Sequence, residues 1–288
     1  MLRIAAVLAT AACLAAQDFS EIRIEKFTGG YTFTEGPVWS RDGYLLFSDP
    51  PESKIYKVTP GEKPAVFRQP SGKANGNTFD AKGNLYTCET QARRVTRTDK
   101  KGAVETLADK FDGKRFNAPN DIVVRKDGHV FFTDPAFGTQ AQGRELDFYG
   151  VYHITPKGEL SLIAKPGGRP NGIALAPNGR ILYVANSDER VVYAYDLDGQ
   201  GRATNERKAI MGIDGPPDGI KVDEKGNVWV TANHLPVYSP LGKLLHTIEL
   251  SETPRNIAFG DSDFQTVYIA ARTSVYRIRI GWKGSVQY

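Results

Sequence analysis

One arrangement of polar and apolar positions returns six times along the chain. A polar residue, often followed by Gly, leads a short apolar stretch, a Gly-containing turn and then an aromatic-rich run. It reads EGPVWSRDGYLLFSD from Glu35, NGNTFDAKGNLYTCE from Asn75 and NDIVVRKDGHVFFTD from Asn120. It continues as NGIALAPNGRILYVAN from Asn171 and DGIKVDEKGNVWVTA from Asp218, with a weaker copy, RNIAFGDSDFQTVYIA, from Arg255. In the first five copies the turn glycine follows the leading residue by eight positions, at Gly43, Gly83, Gly128, Gly179 and Gly226. The starts are 40, 45, 51, 47 and 37 residues apart.

Asp-Gly, Asn-Gly and Lys-Gly-Asn between alternating apolar runs predict β-hairpins, because such turns need a positive φ. A third alternating run follows each hairpin (KIYKVTP, RVTRTDK, GVYHITP, VVYAYDL, PVYSPLG, SVYRIRI), and a fourth, edge-like run follows most of them. Four strands per unit and six units of about 40–50 residues predict an all-β, six-bladed β-propeller as a single domain over 17–288. A β-sandwich would need five equal offsets to arise by accident. The ring is expected to close by pairing a strand near residues 21–27 with the last blade.

Composition agrees with this outline. The chain has 29 glycines, 17 prolines and 13 tyrosines among 288 residues, which suits many turns and half-buried strands. Its net charge of +4 comes from 37 basic and 33 acidic residues that are scattered, so a nucleic-acid partner is not expected. Residues 1–16 differ from the rest: Arg3, then the apolar or small run IAAVLATAACLAA, then polar Gln17-Asp18. This reads as a secretory signal peptide cut near Ala15 or Ala16, hence a secreted or periplasmic protein. The run is too short for a membrane span. Its removal leaves Cys88 alone, so the core, not a disulfide, must hold the fold.

In a propeller the innermost strands surround the axis, so the six leading residues converge at one end: Glu35, Asn75, Asn120, Asn171, Asp218 and Arg255. Two carboxylates and three carboxamides offer hard oxygen donors for a divalent cation, Ca²⁺ before Mg²⁺ or Mn²⁺. No Cys or His shares the ring, which disfavours a structural Zn²⁺. The competing reading is local: Asn and Asp often begin strands because they cap turns. Asp49, Glu89 and Asp134, six residues past a turn glycine, return to the same end. They are read as local hydrogen-bonding groups, with Asp134 a further candidate ligand. His234 is placed on the same face as a candidate proton carrier, whereas His129, His153 and His246 look less central.

At EGPVW, KRFNAPNDIVV, FFTDPAFG, RPNGIA and PPDGI the sequence resembles the gluconolactonase / senescence marker protein / luciferin-regenerating-enzyme-like family, most closely its bacterial gluconolactonase branch. The resemblance spans nearly the whole mature chain. It implies a catalytic divalent metal (Ca²⁺, or Zn²⁺, Mn²⁺, Mg²⁺ or Fe²⁺) held by Glu35, Asn171 and Asp218, with Asn120 at the substrate. It further implies hydrolysis of a small-molecule sugar lactone, with Asp218 as general base; water activated on the cation is an equal alternative. The animal-type enzymes carry Arg two positions before the Asn equivalent to Asn120. Ala118 stands there, so their recognition of sugar hydroxyls does not carry over. The alternatives are a metal-dependent esterase or phosphotriesterase-like hydrolase, and a secreted propeller that binds a carbohydrate or protein without catalysis. Nothing in the pattern speaks to oligomeric state, and a monomer is assumed.

Overall fold

The structure, a computed structural model, describes Phe19 and residues 22–286. The expected signal peptide therefore lies outside the described residues. Six four-stranded antiparallel sheets form the blades of a propeller. Blade one is Glu35–Ser40, Tyr44–Asp49, Lys54–Val58 and Ala65–Arg68; blade two is Ala74–Phe79, Leu85–Glu89, Arg94–Thr98 and Val104–Ala108. Blade three is Ile122–Val124, Val130–Asp134, Gly150–Ile154 and Leu160–Ala164; blade four is Pro170–Leu175, Ile181–Asn186, Val191–Leu197 and Ala203–Ile210. Blade five is Ile220–Val222, Val228–Val230, Leu235–Tyr238 and Leu244–Ile248. Blade six takes three strands from the end of the chain, Pro254–Gly260, Thr266–Ala271 and Ser274–Arg279, and its outer strand, Glu25–Gly29, from the beginning.

That last pairing closes the ring as expected, although the strand begins four residues later than the sequence suggested. It runs antiparallel to Ser274–Arg279, and Arg277 and Glu25 form a two-point ion pair across it, both bonds at 2.9 Å.

The period of two along each strand explains why the blades stack. Val38, Leu46 and Ile55 pack with Ala74, Phe79 and Leu85 of blade two. Their strand neighbours Trp39, Leu45, Phe47 and Val58 face the other way, against Ala258, Tyr268 and Val275 of blade six. Each blade thus buries both faces, and the same division recurs at the other four interfaces. The core is a ring of six inter-blade seams, and each blade needs both neighbours to cover it.

The five turn glycines have φ between 67° and 93°, and each donates its N–H three residues back along the chain, as Gly83 does to Asp80 at 2.9 Å. In the weaker sixth copy Phe264 takes this role at φ 55°, with its N–H on the Asp261 carbonyl at 3.2 Å. A side chain in the left-handed region is uncommon, which is why this copy read poorly in the sequence. No helix among the described residues is long and apolar enough to cross a membrane.

Candidate functional site at the propeller axis

All six leading residues line one cavity of about 560 Å³ at one end of the axis. Two local features bring them there. The inner strands of blades one, two, four and six slip register at their leading residue: just after Glu35 in blade one, and across Asn75, Asn171 and Arg255 in the stretches Ala74 to Asn77, Pro170 to Ile173 and Pro254 to Asn256. Such bulges re-aim a side chain without ending the strand. In blades three and five the ladder begins only at Ile122 and Ile220, so Asn120 and Asp218 sit just ahead of their strands.

The glycine after the leading residue is the second feature. A Cβ on Gly172 would lie 2.3 Å from the Asp218 carbonyl oxygen, and one on Gly76 2.6 Å from that of Asn120. With hydrogen there instead, the Gly172 N–H donates to Asp218 O at 3.0 Å and the Gly76 N–H to Asn120 O at 2.7 Å. Neighbouring blades are thereby tied backbone to backbone around the axis. Threonine hydroxyls reinforce the ring: Thr133 donates to Asn171 O and Thr231 to Arg255 O, each at 2.7 Å.

The electrostatics of the cavity floor are dominated by two carboxylates with few donors. Glu35 is buried, with its Oε2 accepting from the Gly36 N–H at 3.1 Å. Burial first, and then the Asp218 charge, hold Glu35 well above the usual carboxylate range. Burial likewise raises Asp218 to about 6, against the opposing pull of the Arg255 guanidinium, whose Nη1 is 3.5 Å from Asp218 Oδ2. The Asp121 charge adds to the rise at both groups. Asn171 donates to Ser187 Oγ at 3.2 Å, and Ser187 donates onward to Pro217 O at 2.8 Å, which fixes the amide plane. Asn75 Oδ1 is buried with no hydrogen-bond partner among the described residues.

These observations fit a hard divalent cation. Among the described residues no group of three or more His, Cys, Asp or Glu side chains gathers to hold a metal. The axial set reaches a useful donor number only by adding carboxamide oxygens to its two acids. An orphaned amide oxygen and two carboxyls held toward the protonated form are groups whose unmet charge and lone pairs a cation would satisfy.

The remaining sequence candidates fall outside this cluster. Asp134 is fully buried and accepts from the Asn117 and Ala118 N–H groups at 2.8 and 2.7 Å, so its oxygens pin the segment leading to Asn120 and do not reach the axis. It is raised to about 7 by burial, against those two donors. Asp49 accepts from the Thr32 N–H at 2.9 Å, and Glu89 is bound by Arg68, Arg94 and Thr96. His234 does not line the axial cavity, and the buried Ala118 does not either.

Sequence reasoning missed the walls: Phe33, Lys73, Phe137, Arg169 and Ser187. A signal existed for three of them. Phe33, Lys73 and Arg169 each stand two positions before a leading residue, the register position that Ala118 occupies in blade three.

Residues 33–273 match the SMP-30/Gluconolactonase/LRE-like region. A gluconolactonase of Zymomonas mobilis is 34% identical over 89% of this chain and 81% of that protein. The solved structure of a gluconolactonase from Xanthomonas campestris superposes with a TM-score of 0.86 at 29% identity, covering 94% of this chain and 93% of that one. A calcium-binding regucalcin from Agrobacterium tumefaciens shares the fold, with a TM-score of 0.75 at 16% identity over 92% and 96% of the two chains.

Proposed function

Because this chain belongs to the SMP-30/gluconolactonase/LRE-like family, we propose that it hydrolyses a sugar lactone at the axial cavity, using a divalent cation held by Glu35, Asn171 and Asp218. The lactone-hydrolysing class rests on membership and on likeness to the Zymomonas gluconolactonase along 89% of the chain. The assignment of roles rests on one observation: two under-solvated carboxylates meet three amides at the bottom of a cavity large enough for a sugar lactone.

When bound, a hard cation such as Ca²⁺ supplies polarisation of the lactone carbonyl and stabilises the charge that develops on its oxygen. The protein's own groups do the rest. Glu35 and Asn171, fixed by the Gly36 N–H and by Ser187, present oxygens from two blades. Asn120, buried at the cavity wall, is placed to orient the substrate. Asp218 accepts the proton of the attacking water, and Arg255 steadies its carboxylate from 3.5 Å. The same guanidinium lies 5.3 Å over the Phe33 ring, so its position is fixed on two sides. Ring opening yields the free hydroxy acid. Following the leader-like residues 1–16, we also place the mature enzyme outside the cytoplasm; the mass of protein recovered after export should start near Gln17.

The test is a pH-indicator assay of aldonolactones and simple γ- and δ-lactones, with and without chelator. Chelation should abolish hydrolysis of at least one aldonolactone, and one of Ca²⁺, Zn²⁺, Mn²⁺, Mg²⁺ or Fe²⁺ should restore it. Hydrolysis that survives exhaustive chelation would exclude the cation from the reaction, and no turnover with any metal would exclude lactones as substrates.

A further inference from the structure

Beside the axial cavity lies a second one of about 300 Å³, which shares Lys73, Thr90 and Gln140 with it. Its remaining lining consists of carboxamides, one hydroxyl and the guanidinium of Arg93. No carboxylate lines it among the described residues. Arg93 is held by carbonyl oxygens, Gly143 O at 3.0 Å and Gln142 O at 3.5 Å, so its charge is positioned without being neutralised. The nearby Asp134 carboxylate is engaged by the Asn117 and Ala118 N–H groups behind the wall.

Lys73 is the more telling residue. Its backbone is clamped in the left-handed region at φ 53°. The N–H donates to Ser53 Oγ at 3.1 Å, and the carbonyl accepts from Thr90 N–H at 3.3 Å and Thr90 Oγ1 at 2.8 Å. Lys73 is one of nine non-glycine residues at positive φ among the described residues, and its clamp fixes the start of an exposed side chain at the junction of the two cavities. Its ammonium makes no hydrogen bond or ion pair among the described residues. Of the other cations on the axial wall, Arg169 is paired with Asp188 and Arg255 lies 3.5 Å from Asp218.

The register sharpens the point. Two positions before the leading residue, blade three has the buried Ala118, blade four the paired Arg169, and blade two the unpaired Lys73. We propose that the side cavity receives an anionic substituent of the lactone, a carboxylate, phosphate ester or sulfate ester remote from the ring carbonyl, with Lys73 as its contact and Arg93 supplying the surrounding positive field. This deepens, and rests on, the lactonase reading, since it assigns the substrate an acidic arm reaching from the axis past Lys73.

The experiment compares a neutral aldonolactone with counterparts carrying a terminal carboxylate, phosphate or sulfate, using metal-supplemented protein. A charge-assisted contact should make kcat/KM for the best anionic member about tenfold or more that of the neutral one. In Lys73→Met that ratio should fall to within about threefold of unity, with partial recovery in Lys73→Arg, which carries the same backbone cost. Calorimetric titration of the corresponding hydroxy acids, which all share the ring-opening carboxylate and differ only in the second anionic group, gives a parallel comparison without turnover. A ratio near one in the natural protein, or a ratio that Lys73→Met leaves unchanged, overturns the proposal. Absent turnover with a preserved binding ratio would overturn the lactonase reading and leave the anion site standing.

Discussion

Asp218 and Asp223 lie five residues apart in the same hairpin of blade five, one at each end of its inner strand, and their surroundings could hardly differ more. Asp223 is fully buried and accepts at least five donors among the described residues. Oδ1 takes the Lys225 and Asn227 backbone N–H groups, both at 2.9 Å. Oδ2 takes the Asn227 amide at 2.8 Å and the indole N–H groups of Trp229 and Trp282 at 3.1 and 2.9 Å. Asp218 has Arg255 at 3.5 Å and the Asn171 amide, and burial pushes it up to about 6. A carboxylate offers about four lone-pair sites. At the turn end of the blade they are filled by the fold, whereas at the axial end they are left for something else. Burial alone does not mark a functional acid; burial with donors missing does.

The strongest test of this contrast is a matched pair of substitutions. Asp218→Asn should lower kcat/KM for a lactone by about 10³-fold, within the range for loss of a general base, while the folded state survives. Asp223→Asn should do the reverse. Its new NH₂ must face either two backbone donors or two indoles and an amide, so buried donors oppose one another. The expected loss is about 3 kcal/mol in chemical denaturation, with kcat/KM of the folded fraction within about threefold of the natural protein. Equal stability losses from the two variants would break the comparison.

A smaller effect concerns pH. In metal-free protein Asp218 titrates near 6 when folded and near the ordinary 3.8 when unfolded. Between those values the native state holds more protons than the unfolded state, so this group's contribution to stability falls as pH rises from about 4 to 6, then levels off. Asp218→Asn should flatten that segment of the curve measured in chelator. A natural-protein curve with no excess decline over that window, relative to the variant, would show that the site is not under-solvated.

The same contrast explains what could be read from the sequence. The hairpin phrase repeats because every blade solves the same problem, a positive-φ turn between two inner strands, so Gly43 through Gly226 gave the architecture away. The six leading residues were legible because the repeat fixes their register and a ring turns equal register into spatial convergence. What escaped depends on contacts between blades or on geometry inside one. The register shifts at Glu35 and Asn171 leave no residue signature. Asp134 was legible as a local hydrogen-bonding group, but that its acceptors are filled by the Asn117 and Ala118 N–H groups, leaving no ligand role, is seen only in the fold. Lys73 is marked in the sequence only by its register, two positions before Asn75; the side cavity it borders, whose described lining holds no carboxylate, is visible only in the fold.

The turn end of blade three supplies the smallest and most informative prediction. His129 and His153, read as peripheral, are both buried, with Nδ1 of one 2.6 Å from Nε2 of the other and the His153 ring stacked on Phe131. Burial lowers both; the neighbouring imidazole and Arg125 contribute further to bring His153 to about 4. Arg125 in turn pairs with Asp127 and donates to the Asp198 and Gly199 carbonyls, while Ser161 Oγ lies 3.4 Å from His153 Nδ1. Folded His153 stays neutral where the unfolded chain, titrating near 6.5, already takes up protons. Its contribution to stability is therefore present above about 6.5 and is lost as pH falls toward 4, opposite in sign to that of Asp218. Over that window His153→Gln should narrow its stability gap to the natural protein by about 1–2 kcal/mol as the pH falls. The effect should be clearest in an Asp218→Asn background, where the opposing slope is gone. If the two slopes ran in the same direction, the two ends of the ring would not be electrostatically distinct, and the contrast between a satisfied end and an open one would fail.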